Sequence, residues 1–160
     1  MGRQAERNHP WWISHGLVAS PHPRTIDPVP ASPPPPETEP RDRDWACRLF
    51  AGIADEQSEV MALVYFDPDW RYLGMRHCAS GDSGCVAVPI REIARDVLTL
   101  DVRLVLMAHN HPGGDHRPSK DDLAVTSRLS RTLDAIGVRL VDHLIVGRNG
   151  CTSLRDEGYL

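Results

Sequence analysis

Leu104-Val105-Leu106-Met107-Ala108 runs straight into His109-Asn110-His111-Pro112-Gly113-Gly114, and Ser119-Lys120-Asp121-Asp122 follows before the next apolar periodicity begins. The first part is a short, unbroken apolar run, as expected for a strand buried on both faces. Pro112 stops the ladder and Gly113-Gly114 open a loop that lets the chain reverse. From Ser119, Leu123, Leu129, Leu133 and Ile136 fall at helical spacing up to Gly137, a good helix stop. The stretch therefore reads as strand, loop and crossover helix.

Working outward, Val138 to Val146 reads as the next strand, Asn149-Gly150 as a hairpin turn, and Cys151 to Leu154 as the returning strand. Upstream, Ile90, Ile93, Ala94, Val97 and Leu98 make an amphipathic helix, and Val86 to Val88 a short strand. Val60 to Phe66, the turn Asp67-Pro68-Asp69, and Trp70 to Met75 read as a hairpin. Trp45, Leu49, Phe50 and Ile53 predict a first helix with Asp44 as its N-cap. Hairpins and crossover helices together predict an α/β fold, with a mixed β-sheet flanked by helices.

Residues 1–43 carry the run Pro33-Pro34-Pro35-Pro36 and few apolar side chains, which predicts a disordered tail ahead of a domain at 44–160. Trp11-Trp12-Ile13 is an apolar trio in that tail that could dock on the domain or on a partner. The 160 residues carry a formal net charge of −4 with a single lysine, Lys120. That balance argues against direct, phosphate-driven nucleic-acid binding. No apolar run is long enough for a membrane span and no signal-peptide core is visible, so a cytoplasmic location is expected. Cys47, Cys78, Cys85 and Cys151 are dispersed without a Cys-x-x-Cys pair and are expected as reduced thiols.

His109 and His111 stand two apart on an extended segment, so both imidazoles face one point. Asp122, in the first turn of the following helix, adds an oxygen ligand. Two nitrogens and one oxygen with a position left over describe a catalytic metal site, whereas structural sites are closed and rich in cysteine. His116 is expected as an exposed loop residue, and His143 as a structural partner of Asp142.

The string from His109 to Asp122 resembles the JAMM signature His-x-His-x(7)-Ser-x-x-Asp, and more closely its RadC form, His-Asn-His-Pro-small-Gly-Asp. Arg91-Glu92-Ile93, Asp142-His143-Leu144-Ile145-Val146-Gly147 and Ser153-Leu154 extend the resemblance from about Glu59 to the C-terminus. The helix-hairpin-helix module of longer family members is not recognisable. Gly81-Asp82-Ser83-Gly84 departs from the family's Gly-Thr-rich stretch.

The resemblance implies a JAB/MPN-like, cytidine-deaminase-like sandwich and one Zn2+ held by His109, His111 and Asp122. It further implies a metallopeptidase or isopeptidase acting on a peptide or protein. Glu59 would be the general base, with Glu56 the competing candidate, and Ser119 would hydrogen-bond the oxyanion. Alternatives are a non-catalytic scaffold or a DNA-repair-associated protein of the RadC kind. A zinc nucleobase deaminase would need His-x-Glu and Pro-Cys-x-x-Cys, and both are missing.

Overall fold

The computed structural model describes residues 42–79 and 88–160. Helix α1 spans Arg43–Phe50 and tightens into a 3-10 turn over Ala51–Asp55. The strands are β1 (Val60–Phe66), β2 (Tyr72–Ala79), β3 (Leu104–Asn110), β4 (Arg139–Gly147) and β5 (Gly150–Ser153). Helices α2 (Ile90–Thr99) and α3 (Lys120–Asp134) complete the set. The sheet order is β2-β1-β3-β4-β5, antiparallel throughout except for the parallel pair β3–β4. That pair is parallel because α3 carries the chain back across the sheet, which a tight turn cannot do.

The sheet is covered on both faces. On one, Trp45, Phe50 and Ile53 pack against Ala62, Val64, Leu106, Ala108 and Leu144. On the other, Ile93 and Val97 of α2 and Leu129 and Leu133 of α3 pack against Met61, Leu63, Val105 and Met107. Alternate residues of β1 and β3 thus enter opposite cores, which is why both strands are continuous apolar runs rather than alternating ones. The expected mixed α/β sandwich is the observed fold.

Several local expectations are corrected. The cap of α1 is Asp42, whose carboxylate accepts from the Trp45 N–H at 2.9 Å; Asp44 lies inside the first turn, where a negative charge favours the helix N-terminus. The second strand begins at Tyr72 because Trp70 takes a left-handed φ of 64° in the turn. There the Asp67 carboxylate accepts from the N–H groups of Asp69 and Arg71, both at 2.8 Å. The last hairpin turns on Arg148-Asn149, with Gly147 paired to Gly150. Val88 is not in a strand, and Val86 lies outside the described residues, as does nearly all of the expected tail. No helix among the described residues is long and apolar enough to cross a membrane.

The thiol expectation fails for two cysteines. Cys47 of α1 and Cys151 of β5 form a disulfide across a sequence separation of 104, with Cα atoms 6.1 Å apart. Spacing along the chain could not show this, because the two meet only when α1 lies across the sheet. Stable cystines belong mainly to oxidising compartments, which bears against the cytoplasmic expectation. Cys78 is free, and burial pushes its thiol up to about 11, leaving it unreactive near neutrality. Cys85 lies outside the described residues.

Closing so long a loop constrains the unfolded chain, by about 4.7 kcal/mol in the chain-entropy view. Reduction, or Cys47→Ser with Cys151→Ser, is expected to lower stability by roughly 2–5 kcal/mol, read as a drop in the thermal midpoint. An unchanged midpoint after full reduction would show that the bridge contributes nothing.

Candidate metal centre

The end of β3 places His109 on the face covered by α3, and His111 follows just beyond the strand. Ser119 caps α3: its Oγ accepts from the Asp122 N–H at 3.1 Å, and the Asp122 carboxylate accepts from the Ser119 N–H at 2.7 Å. This reciprocal capping box holds the Asp122 side chain at the helix mouth. Its other oxygen lies 3.1 Å from His109 Nε2.

The three side chains converge. His109 Nε2 and His111 Nε2 are 3.0 Å apart, and His111 Nε2 is 3.4 Å from the Asp122 carboxylate. Zinc bonds of about 2.0–2.2 Å in a tetrahedron place ligand atoms roughly 3.3–3.6 Å apart. The observed separations fall within a few tenths of an ångström of that, so the donor set fits such an ion in both chemistry and spacing. Among the described residues no other group of three or more His, Cys, Asp or Glu side chains has the spacing to hold a metal. Exposure of the side chains rises from 1% at His109 to 12% at Asp122 and 24% at His111, so the cluster opens to solvent on the His111 side.

Each ligand candidate is also held from behind. His111 Nδ1 donates to the Asp115 carbonyl at 2.6 Å, which leaves its Nε2 lone pair free for the cluster. The Gly113-Gly114 turn lies against β4: a Cβ on Gly147 would stand 3.0 Å from the Gly114 carbonyl carbon and closer still to its oxygen. Only glycine permits that approach. Burial raises the Asp122 pKa, but the close His109 ring and the hydrogen bonds with Ser119 outweigh it and hold the carboxyl well below the usual carboxylate range. At the loop surface, the Arg117 guanidinium lowers Asp115 to about 2.

Glu59 is half-buried one residue before β1, whereas Glu56 is exposed. Met61 pairs with His109, so continuing the antiparallel register sets Glu59 opposite His111, and alternation gives it the same face as Met61 and His109. Glu59 does not belong to the three-residue donor group. Asn110 secures this segment: it is fully buried, its Oδ1 accepts from the Val60 N–H at 2.6 Å, and its Nδ2 donates to the Ser58 carbonyl at 3.1 Å. Nothing in the local sequence around Asn110 signals this role, because its partners lie some fifty residues upstream.

Two further histidines are placed differently from the expectation. His116 is half-buried, with Nδ1 2.7 Å from Thr152 Oγ1 in β5. His143 bonds the Asp142 carboxylate through its backbone N–H only, and its ring does not pair with Asp142. That ring lies on the opposite face, 2.7 Å from His109 Nδ1 and 2.6 Å from Thr126 Oγ1. The cause is a one-residue register shift between β3 and β4: Val105 faces Leu140 while Leu106 faces Asp142, so Val141 is the extra residue. The bulge turns Asp142 toward α1, where its carboxylate accepts from Ser153 Oγ at 2.6 Å, and turns His143 toward the cluster. Burial raises the Asp142 pKa and lowers that of His143, so the latter ring is neutral.

A two-faced sheet with a His-x-His strand end and a capping-box aspartate defines a JAB-type domain. The chain belongs to the RadC-like JAB domain family, whose model matches residues 41–159. Among curated relatives, the UPF0758 proteins of two Xylella fastidiosa strains, Temecula1 / ATCC 700964 and 9a5c, are each 37% identical over 116 residues. The alignments cover 72% of this chain and 52% of those proteins. The chain therefore spans about half the length of the curated relatives it matches.

Proposed function

We propose that this chain is a metal-dependent hydrolase of the JAMM type, cleaving a peptide or isopeptide bond, with zinc held by His109, His111 and Asp122. The observation that carries this reading is the donor triangle itself, whose two imidazoles are both engaged through Nδ1 and so turn Nε2 toward a common point. Bound there, the metal would supply Lewis acidity, polarising a scissile carbonyl and lowering the pKa of a water.

The protein's own groups do the rest. Glu59 takes the proton of the attacking water and delivers it to the leaving amine. Ser119 Oγ accepts from the Asp122 N–H and keeps its own proton for the developing oxyanion. The open side at His111 admits an extended peptide or protein segment; neither a membrane nor a nucleic acid enters this reading.

Elemental analysis of protein purified without a histidine tag is expected to find one zinc per chain. The double variant His109→Ala, His111→Ala should lose it. Equal metal content in that variant and the wild type would sink the ligand assignment. With metal content established, cleavage of a peptide library tests the hydrolase reading.

A further inference from the structure

His143 is fully buried beneath α3, and both of its ring nitrogens are engaged. Nδ1 lies 2.6 Å from Thr126 Oγ1, and Nε2 lies 2.7 Å from His109 Nδ1. The Thr126 hydroxyl donates in turn to the Asp122 carbonyl at 2.5 Å. A carbonyl can only accept, and a hydroxyl has one proton to give. Thr126 Oγ1 must therefore accept from His143, which places the His143 proton on Nδ1 and leaves Nε2 as a bare acceptor. His109 then donates through Nδ1, and its Nε2 carries a lone pair directed at His111 and Asp122. One polarity satisfies the whole chain. It also closes on itself, because Asp122 terminates it through its carbonyl and faces His109 through its carboxylate.

We infer that His143 and Thr126 are positioning residues for His109, fixing its tautomer and ring orientation so that Nε2 is presented to a metal. The inference rests on the metal reading given above. It assigns His143 a place behind the ligand shell, where hydrogen-bond partners of metal-bound histidines commonly govern affinity. The Val141 bulge is what makes it possible, since without it Asp142 would occupy this face.

Two measurements test it. Ring nitrogen–proton correlation spectra should show His143 protonated on Nδ1 in zinc-free and zinc-loaded protein, and His109 protonated on Nδ1 when zinc is bound. Zinc affinity, read by competition with a chromophoric chelator, should fall roughly 10- to 100-fold in His143→Leu, with a shifted cobalt absorption spectrum. Thr126→Val, which removes the hydroxyl at nearly constant volume, should weaken binding in the same direction by less. His143→Gln, able to accept through Oε1 and donate through Nε2, should recover part of the loss.

Thermal unfolding of each metal-free variant separates this from a packing role, which would move the midpoint but leave the cobalt spectrum and zinc affinity alone. Wild-type affinity in both His143→Leu and Thr126→Val, or a His143 proton on Nε2, overturns the inference. A wild-type chain that takes up no zinc overturns the metal reading instead, and the His143 tautomer still decides the hydrogen-bond chain.

Discussion

Glu59→Gln is expected to lose at least roughly 10²-fold in turnover while keeping its zinc and its fold. Glutamine preserves the size and one carbonyl acceptor of glutamate but cannot take up a proton near neutral pH. The expectation separates Glu59 from Glu56 on structural grounds. Glu59 is half-buried and stands two residues before Met61, which pairs with His109, whereas Glu56 is exposed, and its contact with β3 is made by its backbone carbonyl, which accepts from Asn110 Nδ2 at 3.3 Å. Glu56→Gln should therefore retain most of the activity. Turnover of the two variants side by side, on a peptide selected from the library and with zinc content checked in both, decides the matter. A dead Glu56→Gln with an active Glu59→Gln reverses the assignment, and two active variants dismiss the general-base mechanism.

The largest effect on stability is expected at a different point of the α2 and α3 face. Arg76 of β2 and Asp96 of α2 form a bidentate ion pair at 2.5 and 2.8 Å, with side chains only 7% and 2% exposed. The Tyr65 hydroxyl donates to the same carboxylate at 3.0 Å; burial, then the charge of Asp96, pushes its pKa well above the ordinary value, so it remains a donor. Removing one ion of a buried pair leaves the other uncompensated, at a cost of roughly 3–5 kcal/mol.

Asp96→Ala should show that loss as a lowered urea midpoint, and it should loosen α2 from the β1–β2 edge. The double variant Arg76→Met, Asp96→Leu should cost much less, because no charge is left stranded. A single variant costing under about 1 kcal/mol, within the range of exposed pairs, would show that water reaches this network.

The sequence by itself determined those parts of the protein whose cause is local. The apolar runs of β1 and β3, the periodicity of α2 and α3, the i, i+2 spacing of His109 and His111, and the Ser119–Asp122 capping box are all written within a few residues. Local geometry alone carries such features from chain to structure. The order of elements also predicted a mixed sheet, because one long crossover among hairpins leaves few topologies.

Tertiary structure decided what depends on register and on meetings distant in sequence. Cys47 reaches Cys151 only once α1 lies over the sheet. Asn110 finds the segment before β1 only through antiparallel pairing of β1 with β3. The exchange of Asp142 for His143 behind His109 hangs on a single extra residue in β4. A strand's side chains alternate with a period of two, so one inserted residue reverses every assignment after it, and Asp142-His143 gives no local sign of which residue will face the cluster.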